Sequence, residues 1–235
     1  MNRGINILKE VFKVLINPKK GWDNLSNYCD REFVDLKDID KYRPIYMLIP
    51  LFALIPALAQ FLGMTVFKDL YFPEEMLKYA QQENNQQLLL YLERLREIID
   101  TGNISKIFLI SLIYYIAELF RPFIFTVLLF FLISAFGGVR NPYKALTVAT
   151  ISLIPTWITS ILLVHNSAFT VMTIFIATFY TLYITFNASE RFLCIPNDNS
   201  KTFQFIIVFA ILYLIINSIF GIFIQNIFIT KVIFS

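Results

Sequence analysis

Glu118 and Arg121 are the residues with the most chemistry to offer. They lie three apart inside an apolar block from Ile104 to Phe136. Ionisable groups at membrane depth are expensive and often functional. The spacing puts both on one helix face, where they can pair. Such a candidate intramembrane polar site could hold a headgroup, an ion or a proton. The other reading is a mutually neutralised pair that locks the helix beside Pro122 or sits at the interface. The sequence favours the pair, because a transport site gathers more polar residues at one depth. A second pattern runs through Ala145, Ala149, Ser152, Thr156 and Ser160, at steps of three and four. Small residues at that spacing let another helix backbone come close. Helix packing is the stronger reading. Hydroxyls and carbonyls freed around Pro155 lining a path or holding a headgroup is the weaker one.

The remaining reactive residues exclude more than they suggest. His165 is the one histidine, so no Ser/His/Asp or Cys/His set can be assembled. Cys29 and Cys194 are far apart and have no metal-ligand spacing. Gly137-Gly138 lacks the preceding strand that a phosphate-cradling loop needs. Asn217, Gln225 and Asn226 are isolated. The sequence therefore predicts no enzyme activity, no metal and no cofactor.

The elements that carry these residues follow from composition. Hydrophobic residues make up 57% and charged residues 16%, against about 45–50% and about 25% in soluble chains. The apolar residues fall in blocks of bilayer-spanning length. The net charge of +3 is too small to argue for nucleic acid. The expected fold is an all-α integral membrane protein, a five-span helical bundle. Residues 1–43 form an amphipathic helix and tether, and 44–235 form the membrane domain. Spans are expected at about 44–67, 104–136, 142–164, 169–186 and 203–224, with an apolar tail to Ser235. Span two is long enough to be either tilted and kinked or broken at Pro122. Residues 68–103 read as a helical hairpin on the bilayer or over the bundle, starting at Pro73, because so short a segment cannot bury its own core. The link at His165–Ala168, which includes Asn166, is a tight turn. The loop 187–202 carries Glu190, Arg191, Asp198 and Lys201.

The hairpin between spans two and three is the best-marked corner. Gly137 and Gly138 end one helix, Asn141 and Pro142 read as N-cap and first position of the next, and Pro155 bends it. At the N-terminus, Ile5, Leu8, Phe12, Leu15 and Ile16 recur at helical spacing, with Lys9, Glu10 and Lys13 on the other side. Asn17-Pro18 stops that helix. Lys9, Lys13, Lys19, Lys20 and Trp22 are expected to contact lipid headgroups, since lysines and an indole suit that region. A surface helix packed on the membrane domain is the compatible alternative. Residues 23–43, with Phe33, Leu36 and Ile39 touching the surface, read as a tether.

Lysine and arginine placement sets the orientation. Thirteen fall before span one and in the loops 137–144 and 187–202, against six on the other side. The N-terminus is therefore expected in the cytoplasm and the C-terminus outside. Cys29 and Cys194 would then be free thiols facing the cytoplasm. No cleavable signal is expected, since the first long apolar block starts near Pro44.

In order along the chain, Asn17-Pro-Lys-Lys-Gly-Trp22, Leu48-Ile-Pro-Leu51, Phe61-Leu-Gly63, Phe136-Gly-Gly138 with Asn141, Lys144-Ala-Leu146, Ser152-Leu-Ile-Pro155 and Tyr180-Thr-Leu-Tyr183 resemble the Yip-type (Ypt/Rab-interacting protein) integral membrane domain, in particular its bacterial branch. The resemblance covers nearly the whole chain. It implies five helices, a cytoplasmic N-terminus and a bacterial inner membrane. Eukaryotic members resemble trafficking factors that bind small GTPases. This chain lacks their long cytosolic N-terminal region, which argues against GTPase binding, and its unusually long 68–103 loop is more like that of bacterial members. The expected function is a non-catalytic membrane-organising or trafficking-type adaptor. Its partners would be membrane lipids with anionic headgroups, other membrane proteins or a second copy of the chain. The alternative is a lipid or small-solute transporter or scramblase built on Glu118 and Arg121.

Overall fold

The structure is a computed structural model and describes residues 2–32, 37–72, 74–165, 167–196 and 199–235. The side chain of Ile5 and residues Phe33, Leu36, Pro73, Asn166 and Asp198 lie outside the described residues. All regular elements among the described residues are helical. The five apolar spans run Ile39–Thr65, Ile104–Ala135, Pro142–Val164, Ala168–Arg191 and Ser200–Phe234, and the chain is an integral membrane protein.

Two compact units are present. The first comprises Met1–Phe52, Leu119–Thr156 and Ile176–Ile216; the second comprises Ala53–Glu118, Trp157–Phe175 and Asn217–Ser235.

In the first unit, α1 (Asn2–Ile16) and α2 (Pro18–Glu32) pack on each other, and α3 (Asp38–Tyr46) packs on α1. Asn17 ends α1, as its proline neighbour predicts. The chain then restarts at once, with the Asn17 side chain accepting the Lys20 amide at 3.3 Å. Ile7, Val11 and Val14 bury one face of α1, and Trp22, Leu25 and Cys29 bury one face of α2. The expected tether over 23–43 is thus largely helical. Its apolar residues are too sparse to read as a stripe until a partner helix is present. At Gly21 the two helices cross so closely that an added Cβ would overlap the Val14 backbone.

Span two is one helix, α8 (Ile104–Ala135), with Pro122 inside it. It neither ends nor splits there. The Thr126 hydroxyl donates to the Pro122 carbonyl at 2.6 Å, a threonine back-bond of the kind that favours a gentle bend rather than a break. Helix α8 closes with a Schellman turn. Gly137 has φ +82°, and the Gly138 amide reaches back to the Ile133 carbonyl at 2.9 Å. Asn141 caps the next helix by accepting the Tyr143 and Lys144 amides, both at 3.0 Å. The turn is covered by the segment after span four, where Val139 donates to the Leu193 carbonyl at 3.3 Å. Phe192, Leu193 and Ile195 there are buried.

In the second unit, span one contributes the end of α4 (Leu48–Thr65). Among its described residues, the expected helical hairpin over 68–103 contains three helices, α5 (Lys68–Tyr71), α6 (Glu74–Gln82) and α7 (Gln86–Asp100). The break before α7 uses Asn84 at φ 51° and Asn85 as a side-chain cap on Leu88. Span three, α9 (Pro142–Thr159), tightens into a 3-10 turn at Ser160–Val164. Span four is α10 (Ala168–Arg191). Span five is α11 (Asn199–Ile224), which passes through a π-helical turn at Gln225–Ile229 into α12 (Thr230–Phe234). The expected apolar tail is therefore helical. Ile229, Val232 and Ile233 join Met64, Leu95, Ile98, Ile99, Ile107 and Ile110 in a common core, so the loop's apolar stripe is shared with the spans.

Candidate functional site

The residues of the N-terminal layer separate into two groups. Lys9, Lys13, Lys19 and Lys20 are exposed. Trp22 is not: it is 0% exposed. Its indole N–H donates to the Ile184 carbonyl of α10 at 3.1 Å, and its ring lies 5.0 Å from Phe192. This corrects the expected headgroup contact. A tryptophan after two lysines fits an interface by composition. Here, however, its position relative to Leu25 and Cys29 puts it on the buried face of α2. Tyr42 meets the same Phe192 edge-on at 5.8 Å, and the Lys144 ammonium lies over it at 5.3 Å. Phe192, which nothing in its neighbourhood marked out, is the centre of this layer.

Ion pairs and side-chain bonds hold the layer in place. Asp23 pairs with Arg191, and Asp30 with Lys41 at 2.5 Å. The Tyr180 hydroxyl donates to the Leu15 carbonyl at 2.6 Å, and the Tyr46 hydroxyl to the Tyr143 carbonyl at 3.0 Å. Gly138 is required by space. An added Cβ would lie 2.7 Å from the Ile133 side chain and 3.0 Å from the Leu193 carbonyl oxygen. Pro142 is exposed and Pro155 half-buried.

Cys29 is buried within this layer while Cys194 is exposed. Burial pushes the Cys29 thiol up to about 12, against a weaker downward pull from Lys41. The thiolate is the nucleophile, so raising the pH to 9 should not activate Cys29 in the folded chain. At pH 7.5 a maleimide should modify Cys194 at least about a hundredfold faster than Cys29, and unfolding should equalise them. Equal rates in the folded protein would contradict the buried thiol.

The buried carboxylate belongs to the second unit. Glu118 is 7% exposed and accepts the Trp157 indole N–H at 2.8 Å. Trp157 is itself 0% exposed. Arg121, one turn further along α8 and in the first unit, is half-buried. Two tyrosine–glutamine bonds lie in the second unit as well. Tyr71 donates to Gln60, and Gln225 donates to the Tyr91 hydroxyl at 2.8 Å. Burial raises the Tyr71 and Tyr91 phenols above their ordinary value, so both stay protonated. Gln60 was readable as a lone amide in an apolar block; Tyr71 and Tyr91 had no comparable signal. The aromatic ring of Tyr71 lies where a Cβ on Gly63 would be.

Of the small-residue series, Ala145, Ala149, Ser152, Thr156 and Ser160 are all buried. Ser152 accepts the Thr185 hydroxyl at 3.1 Å, which joins α9 to α10. Thr156 bonds the Leu153 carbonyl of its own helix at 2.7 Å. His165 is exposed. Among the described residues, no three His, Cys, Asp or Glu side chains come together as metal ligands.

Comparison with curated proteins finds no match, and comparison with solved structures finds none either. The fold and its turns stand beside one family match, a model described as the Yip1 domain that spans residues 12–219 from within α1 to α11. That stretch takes in the N-terminal corner, the Gly137-Gly138 hairpin and most of all five spans, and the chain belongs to the Yip1 domain family.

Proposed function

We propose that the chain is a non-catalytic membrane-organising protein of adaptor type, holding lipid and protein partners in and beside the inner membrane of a bacterium. Its N-terminus lies in the cytoplasm and its C-terminus outside. The observation that carries this reading is the bonding of Glu118. An intramembrane carboxylate held by a fully buried indole N–H is fixed by packing, whereas a transport site must exchange its partner for a solute. The Thr185–Ser152 bond is a second polar contact that joins helices. Orientation rests on the lysine and arginine count and is read by the side from which Cys194 can be modified in sealed vesicles.

The test of function is a flux assay. The purified chain is reconstituted in liposomes beside a Glu118→Gln, Arg121→Gln variant. Translocation of fluorescent lipid headgroups and release of small solutes are followed. Background rates for both proteins are expected. Wild-type flux that falls about tenfold or more in the variant would overturn the reading and put a lipid or solute transporter in its place.

A further inference from the structure

We propose that α1 carries an anionic-lipid docking face that enters the adjoining leaflet to interfacial depth through Phe12 and Ile16. The inference rests on the reading that the chain has lipid partners, and it names which lipids and which residues. Helix α1 is mounted by one face only, through Ile7, Val11 and Val14. Phe12 and Ile16, one turn apart, point away from that mount at 55% and 81% exposure. Lys9 and Lys13 share α1 with them, and Lys19 and Lys20 open α2 three and four residues beyond Ile16; all four are exposed.

Charge decides the occupant. The acidic side chains described in α1 and α2 are each held by a cation. Glu10 pairs with Lys13 at 2.7 Å, Asp23 with Arg191, and Asp30 with Lys41. No described acidic side chain pairs with Lys9, Lys19 or Lys20. An exposed apolar pair with uncompensated ammonium groups before and after it in the chain complements an anionic lipid surface, where lysine stems lie along acyl chains and their heads among phosphates. The mount also sets the depth. The Leu15 carbonyl is bonded to Tyr180 of α10. Exposed apolar residues on α10 continue past that point through Tyr183 to Phe186. Six residues of helix are about 9 Å, within the 5–10 Å to which interfacial helices sink. On this proposal Phe186 lies at the edge of the leaflet and Ile16 at the headgroup and acyl boundary.

The test uses the full chain with Cys194→Ser and Ile16→Cys, the latter carrying an environment-sensitive fluorophore. It is reconstituted in vesicles of phosphatidylcholine alone, or with about one third phosphatidylglycerol. Aqueous iodide and a lipid brominated near the glycerol end of its chains serve as quenchers. In the anionic vesicles, protection from iodide should be at least about threefold greater than in the neutral ones, with quenching by the bromolipid. The triple variant Lys9→Glu, Lys19→Glu, Lys20→Glu should abolish that difference. Continued resistance of Cys29 to modification shows that the layer is still folded. A label equally open to iodide in both vesicle types, as when the face awaits a protein partner, would overturn the inference. So would a preference that survives the triple variant. Background flux with an open label removes this inference alone. Glu118-dependent flux with a protected label removes the proposed function alone.

Discussion

Replacing Trp22 by alanine should open the N-terminal layer and expose Lys19 and Lys20 to trypsin. The indole is fully buried and packs on Phe192 at 5.0 Å. Truncating a buried tryptophan costs about 3–5 kcal/mol, part of it for the cavity left behind. The bond from the indole to the Ile184 carbonyl is lost too, worth about 1 kcal/mol net. Cleavage at this corner requires local opening, and its rate follows the open population when reclosing is fast. A loss of about 3 kcal/mol corresponds to roughly a hundredfold faster cleavage. Trp22→Phe keeps the ring contact and should fall well short of that. Cleavage of Trp22→Ala at the wild-type rate would return this residue to the membrane surface.

Gly21→Ala should be destabilising although it removes a glycine from a helix. Propensity alone predicts a gain of about 1 kcal/mol in the interior of α2. Packing predicts the opposite sign. An added methyl would overlap the Val14 backbone and lie 2.8 Å from the Lys13 carbonyl carbon, and a backbone cannot rotate aside as a side chain can. The Gly21 amide is also fixed to the Asn17 carbonyl at 2.8 Å, so the corner cannot easily widen. A net loss of about 2–3 kcal/mol is expected, seen as faster trypsin cleavage and a lower thermal midpoint in detergent. The effect should shrink in a Trp22→Ala background, because both changes break the same docking. A Gly21→Ala protein more stable than wild type would mean that α1 and α2 do not cross there.

Both substitutions fall where the sequence was least legible. The five spans were visible because the bilayer imposes a local requirement: about twenty apolar residues satisfy it whatever their neighbours do. The turns were visible for a similar reason. A helix stop before Pro18, glycine at positive φ in Gly137, and an asparagine cap at Asn141 are settled within four or five residues. The sequence also placed Glu118 in the interior of span two, but nothing in it pointed to the Trp157 indole as a bonding partner. Spacing on one helix can be counted, while the neighbour contributed by another helix cannot.

The sequence by itself determined the membrane class, the number of spans, the main stops and the family, all of which depend on short-range pattern or on its order along the chain. Tertiary structure alone decided that Trp22 is buried, that much of 23–43 is helical and docked, and that the chain beyond Ile224 stays helical and joins a core with Leu95, Ile98 and Ile99. It also decided that Glu118 bonds the indole of Trp157. The physical reason is the same in each case. These side chains are amphipathic or sparse, so water, lipid and protein are all acceptable surroundings to them in isolation. The choice falls only when distant segments supply a ring, a carbonyl or an opposite charge within contact distance.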